Sequence, residues 1–230
     1  FPNADDSEIK QISKKMWSNY GRILTEYFFI KNFRISNFKN NVKIDGKQFL
    51  EKIRNSKKPV IFISGHFNNF ELMAMFLEMS GINLSAIYRP LNNRYLNFFV
   101  ERIRKKYICK NQIKKGLAGT KQLLSNFKNG SSVALMIDQR VSQGMKSKFF
   151  DENAYTTTIP AQFVKKFNCE IVPVYIERYD DFKFNITIEK PIQFPKEYSI
   201  EDITNELNKV LEKMILKNPD QWIWTHNRWK

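Results

Sequence analysis

Cysteine is nearly missing from this sequence. Cys109 and Cys169 are the only two in 230 residues, and their unrelated contexts, with no paired spacing, argue against a disulfide scaffold or a cysteine-based zinc site and fit a reducing compartment. Histidine is equally scarce, at His66 and His226. Because imidazole changes charge near neutral pH, that scarcity makes each one a lead for acid–base chemistry. Long apolar runs are also lacking: Val60 to Ile63 and Leu72 to Leu77 fall far short of the ~20 residues that a membrane-spanning helix needs. No repeat, low-complexity tract or Gly/Ser-rich linker divides the chain. One domain over residues 1–230 is therefore expected, with residues 1–44 as an N-terminal helical segment packed on it. The chain starts Phe1-Pro2-Asn3 without Met and reads as a fragment of a longer protein.

What the sequence has in excess is positive charge. A formal net charge of +15 suggests an anionic partner, whether nucleic acid, an anionic membrane surface or an acidic carrier protein. Lys, Asn, Ile and Phe are abundant together, the bias of an AT-rich genome, so part of the lysine excess need carry no function.

Strand-like and helix-like segments alternate after about residue 45, the pattern of an α/β fold. Asp5, Asp6 and Ser7 offer N-caps to a front helix with Ile9, Ile12, Met16, Tyr20, Ile23 and Leu24 at helical spacing. Val60 to Ile63, Leu84 to Tyr88, Val133 to Ile137, Ile171 to Ile176 and Phe184 to Ile188 read as strands. Gly46 to Asn55, Leu72 to Met79, Arg94 to Lys105, Leu117 to Lys128, Ala161 to Phe167 and Ile200 to Leu216 read as helices, and Asn68 is expected to cap the second of them with Glu71 in a capping box. His66 and Asp138 then each follow the carboxyl end of an apolar strand, where open α/β sheets bind ligands.

His66 lies in a strand-to-helix loop with a carboxylate, Glu71, five residues on. A carboxylate there can hold one ring nitrogen and leave the other free to take a proton, which is the orienting role in a catalytic triad. A capping box accounts for Glu71 equally well, so the pair by itself leaves both readings open. His226, between Trp224 and Arg228, is expected to be structural.

Several blocks carry a resemblance. Gly65-His66-Phe67-Asn68-Asn69-Phe70-Glu71 resembles the GHFGNWE block, and Tyr88-Arg89-Pro90-Leu91-Asn92-Asn93 the YRPLNN block, of the late (secondary) acyltransferases of lipid A biosynthesis, within the lysophospholipid and glycerol-3-phosphate acyltransferase superfamily. Arg102 and Arg104, Asp138-Gln139 with Gly144 and Phe149-Phe150, Ala154-Tyr155-Thr156 with Pro160-Ala161, and the terminal Pro219-Asp220-Gln221-Trp222-Ile223-Trp224-Thr225-His226-Asn227-Arg228-Trp229-Lys230 follow in family order. The likeness spans essentially the whole chain. Departures are few: Asn69 is read as standing for the Gly of the first block, Phe70 for its Trp and Asn227 for one Arg of the tail.

The resemblance implies a glycerol-3-phosphate-acyltransferase-like fold, a mixed, mostly parallel sheet flanked by helices. It implies a His66/Glu71 dyad, with Arg104 and Asp138 as further catalytic residues and Asn69, Tyr88, Arg89, Asn92, Asn93, Arg102 and Gln139 as substrate-binding residues. The implied donor is an acyl carrier protein thioester and the acceptor a hydroxyl of an anionic glycolipid, the lipid A precursor, at the cytoplasmic face of the inner membrane. No metal or cofactor is expected, coenzyme A thioester remains an alternative donor, and a membrane anchor is expected upstream of residue 1. A basic face of Arg94, Arg102, Arg104, Lys105, Lys106, Lys110, Lys114 and Lys115 would suit either acidic partner. Two rival readings stay open: another membrane lipid as acceptor (an aminoacyl lipid, a glycerolipid or a mannosylated lipid), and a basic nucleic-acid-binding domain, against which stands the absence of any nucleic-acid motif. Intact His66 and Glu71 argue against a silent scaffold of the same fold.

Overall fold

Apolar runs too short to bury themselves must pair, and in the computed structural model, which describes residues 4–229 apart from the side chains of 36–39, they combine into one mixed sheet flanked by helices. The chain opens with α1 (Asp6–Glu26), a 3-10 turn (Tyr27–Phe29), the short turns α2 (Ile30–Asn32) and α3 (Phe38–Asn41), and β1 (Val42–Asp45). Then come α4 (Lys47–Ser56), β2 (Ile61–Ser64), α5 (Glu71–Met79), β3 (Leu84–Tyr88), α6 (Arg94–Ile103) with a π turn (Arg104–Ile108), β4 (Asn111–Lys114), α7 (Leu117–Lys128) and β5 (Ser132–Met136). The rest is β6 (Met145–Phe149), β7 (Glu152–Thr156), α8 (Ile159–Phe167), β8 (Ile171–Asp180), β9 (Lys183–Ile188) and α9 (Ile200–Lys217), followed by an extended tail.

Among the described residues, the main sheet runs β1-β9-β8-β2-β5-β3-β4, with every neighbouring pair parallel except β8 and β9. This is the mixed, mostly parallel α/β sheet that the alternating pattern and the resemblance imply. The central β2, Ile61-Phe62-Ile63-Ser64, is buried along its whole length, which is why it lacks the polar alternation of a half-exposed strand. β1, β4 and the antiparallel β6–β7 hairpin are not among the expected strands. The first two are four-residue edge strands, and the hairpin sequence Met145-Lys146-Ser147-Lys148-Phe149 buries only Ser147 and Phe149, too weak a period to stand out.

Three expectations are corrected. The predicted capping box does not form, because Asn68 lies in left-handed backbone (φ 40°) and not in the extended conformation an N-cap needs. Phe70 occupies the cap of α5 without a side-chain bond, while Asn68 accepts from the Asn69 N–H at 2.8 Å and donates to Gln221 Oε1 at 2.9 Å. Asn68, and not Asn69, is the residue that falls under the Gly of the GHFGNWE block: its left-handed backbone is the region a glycine favours, and asparagine is among the few side chains that tolerate it. The front helix does pack on the body, through Met16, Asn19, Ile23 and Glu26, but Ile9 and Leu24 are exposed.

Candidate active site

Strand register brings the site together. β2 and β5 pair with Ile61 opposite Val133 and Ser64 opposite Met136, so the residues two beyond each strand end, His66 and Asp138, leave the sheet side by side. Gly65 makes the exit possible: a Cβ there would lie 2.9 Å from the Phe67 ring and 3.1 Å from Leu211, too close for a larger residue without displacing both.

Asp138 grips His66 twice. One carboxylate oxygen accepts from the ring Nδ1 at 2.8 Å, and the other accepts from the His66 backbone N–H at 2.9 Å. The second oxygen also takes the indole N–H of the buried Trp222, at 2.9 Å. With Nδ1 protonated and pointed at Asp138, Nε2 carries the lone pair, and it has no hydrogen-bond partner among the described residues. The Phe70 ring stands edge-on to the imidazole at 4.8 Å. Burial on its own would lower the imidazole pKa, but the charge and hydrogen bond of Asp138 outweigh it, with Glu71 adding and Arg104 opposing, and hold it above its ordinary value. Burial likewise opposes ionisation of Asp138, yet His66 and the N–H donors keep its carboxyl below the usual range.

The five-residue spacing points to Glu71 as the carboxylate on the ring; the hydrogen bond to the ring is Asp138's. Glu71, first residue of α5 and buried, instead accepts from Arg104 Nε at 2.8 Å and Nη2 at 2.5 Å, and from the hydroxyl of Tyr27. Arg104 Nε also reaches the Tyr27 hydroxyl at 3.2 Å, and the guanidinium lies 5.9 Å from the Tyr88 ring centroid. Burial would favour the neutral guanidine, but Glu71 and Tyr27 more than compensate and raise the Arg104 pKa. The Tyr27 hydroxyl is pushed up by burial and by Glu71. His66, Glu71, Arg104 and Asp138 thus share one site, as a His–Asp pair beside a Glu–Arg–Tyr cluster.

The expected substrate-binding residues divide. Tyr88 ends β3 under Arg104, its hydroxyl pushed up to about 12 by burial and by Glu101, and Gln139 is half-buried next to Asp138. Arg89, Asn92 and Arg102 are exposed. Asn93 caps α6, accepting from the N–H groups of Tyr95 and Leu96 at 3.0 Å. Asn69 points inward: it is buried and donates to Glu26 at 2.8 Å, and Glu26 in turn pairs with Arg178 at 2.7 Å. His226 accepts the Arg140 N–H at 2.9 Å, the structural role expected of it.

Two residues of the site escape sequence reasoning. Tyr27 belongs to a bare Tyr-Phe-Phe run with no motif around it. Trp222 lies within the tail block, so its position carried a signal but its bond to Asp138 did not. The tail is clamped by Arg228, fully buried, which donates to the Tyr155 carbonyl at 2.5 Å and to Thr156 Oγ1 at 2.6 Å, with burial pulling its pKa down to about 10. Among the described residues no group of three or more His, Cys, Asp or Glu side chains is placed to hold a metal ion.

Sequences of known proteins resemble this one. A sequence model for the bacterial lipid A biosynthesis acyltransferases matches residues 1–230. Lipid A biosynthesis acyltransferase 2 of Shigella flexneri is 24% identical over 97% of this chain and 72% of its own length. The lipid A biosynthesis lauroyltransferase of Escherichia coli K12 is 24% identical over 100% of the chain and 75% of its own length, and the palmitoleoyltransferase of the same strain 22% identical over 100% and 75%. A match over its whole length, with the motif residues gathered at the carboxyl ends of adjacent parallel strands, places the chain in the bacterial lipid A biosynthesis acyltransferase family.

Proposed function

We propose that this protein, as one domain over residues 1–230, transfers a fatty acyl chain from an acyl carrier protein thioester to a hydroxyl of an anionic lipid A precursor, at the cytoplasmic face of the inner membrane. The observation that carries the reading is the free Nε2 of His66, on a ring whose other nitrogen is tied to buried Asp138. Nε2 takes the proton of the acceptor hydroxyl as its oxygen attacks the thioester carbonyl. Asp138 fixes the tautomer and stabilises the imidazolium that forms. The tetrahedral oxyanion lies against the Arg104 guanidinium, which Glu71 and Tyr27 hold in place before substrate arrives. Collapse expels the carrier thiolate, which recovers the proton from His66, so an ester replaces a thioester with no metal or cofactor consumed. Both proposed partners are acidic, which accounts for the +15 charge without nucleic acid.

The test is product mass after incubating the protein with an acyl carrier thioester and the lipid A precursor. A gain of one acyl chain that His66→Ala abolishes supports both the reaction and the base. Thioester consumed with the lipid unchanged would refute the acceptor, and a gain that persists in His66→Ala would refute the base.

A further inference from the structure

Helix α6 is mounted inside out. An amphipathic helix ordinarily turns its apolar stripe to the core, yet no residue of α6 is buried, and Tyr95, Leu96, Phe98 and Phe99 are 87%, 53%, 68% and 51% exposed. Its polar side does the attaching. Glu101 reaches Lys114 of β4 at 3.8 Å and the Tyr88 hydroxyl of β3, and Ile103 leans on the core, while Glu101 also pairs with Lys105 of the following turn at 3.0 Å and Asn97 receives the Leu91 N–H of the lead-in at 2.9 Å. At 3.6 residues per turn Tyr95, Phe98, Phe99 and Arg102 share one face, directed away from the body.

Positive charge rims this apolar face. Arg94, Arg102, Lys105 and Lys106 are exposed, and at the foot of the helix Lys105, Lys114, Lys115 and the 84%-exposed Leu117 line an open cavity of about 450 Å³. The N-terminal segment runs past the same place, since Tyr27 bonds Arg104 and Arg34 donates to the Tyr107 carbonyl at 3.0 Å, and it exposes Phe28 and Phe29. Aromatic side chains interleaved with Arg and Lys on one outward face are the composition of a helix lying in the interface of an anionic bilayer, whereas the buried centre of a protein interface is depleted of charge.

We infer that α6 docks flat on a bilayer bearing anionic headgroups, with Tyr95, Phe98 and Phe99 at the acyl boundary and the flanking Arg and Lys on lipid phosphates. The helix runs directly into Arg104, so docking would set the site at the level from which a lipid hydroxyl and acyl chain arrive. The inference rests on the membrane partner proposed above, but it is tested without turnover. The protein is floated with vesicles of phosphatidylcholine alone or mixed with phosphatidylglycerol, as the wild type, as Phe98→Ser/Phe99→Ser and as Arg94→Glu/Lys106→Glu. The wild type is expected to float with the anionic vesicles, and each double variant to lose at least about tenfold in partitioning while melting like wild type. Should the serine variant melt early, Phe98→Trp replaces it, and its added emission is expected to be quenched by brominated lipid. Undiminished flotation of both double variants, or no quenching at position 98, would overturn the inference. So would light scattering that shows a wild-type dimer made monomeric by Phe98→Ser/Phe99→Ser, which assigns the face to a second copy. Vesicle binding without acyl transfer would instead count against the proposed reaction and leave the docking face standing.

Discussion

Two carboxylates flank one imidazole, and they reach it by different routes. Asp138 stands 72 residues from His66 in sequence but only one strand away, and the β2–β5 register sets it on Nδ1 at 2.8 Å. Glu71 is five residues away along the chain, yet the left-handed turn at Asn68 and the start of α5 deliver its carboxylate to Arg104 and Tyr27. Closeness in sequence predicted the wrong partner for the ring. In a parallel sheet, neighbours across a ladder are fixed by the hydrogen-bond register, and short spacings within a loop fix little until the turn geometry is known.

Substitutions can break the comparison. The largest effect is expected from Asp138→Asn, which keeps the shape but loses the charge that sets the tautomer; kcat should fall about 10³-fold or more, measured as acyl transfer at saturating thioester. Arg104→Ala should cost about 10²-fold in kcat through lost oxyanion stabilisation, and, by stranding buried Glu71, about 3 kcal/mol of stability by chemical denaturation. If Glu71→Gln proves more damaging than Asp138→Asn, the two roles are reversed. Trp222→Phe removes one donor from Asp138 and should lower kcat by roughly tenfold at most, with about 1 kcal/mol lost in stability.

The pH profile sharpens the same contrast. The base works neutral and Asp138 holds the imidazole pKa up, so wild-type kcat/KM should rise with pH through a midpoint above the ordinary histidine value. In Asp138→Asn the opposing influence of burial is left, and the residual activity should rise at lower pH instead. An unmoved acid limb would show that Asp138 does not govern the ring.

Much of this site was legible in the sequence as a set of residues. His66 and Asp138 announce themselves as polar groups closing buried apolar strands, and the motif blocks add Glu71 and Arg104. What was not legible is which group touches which. That depends on long-range register, on a turn that needed a backbone angle to identify, and on Tyr27 and Trp222, whose bonds cross 44 and 84 residues of chain. The direction in which α6 faces was hidden for a related reason: its period predicts an amphipathic helix, and only the contacts of Glu101 with Lys114 and Tyr88 reveal that the polar side is the inner one.

The tail's grip on Asp138 bears on biosynthesis. A chain emerging from the ribosome can pair β2 with β5 once residue 136 is out, but the indole that steadies the carboxylate arrives only with residue 222, and the Arg228 clamp six residues after that. Until residue 222 has been translated, Asp138 would therefore hold its imidazole with one donor fewer, and a protease nick ahead of Trp222 would loosen that carboxylate while sparing the sheet.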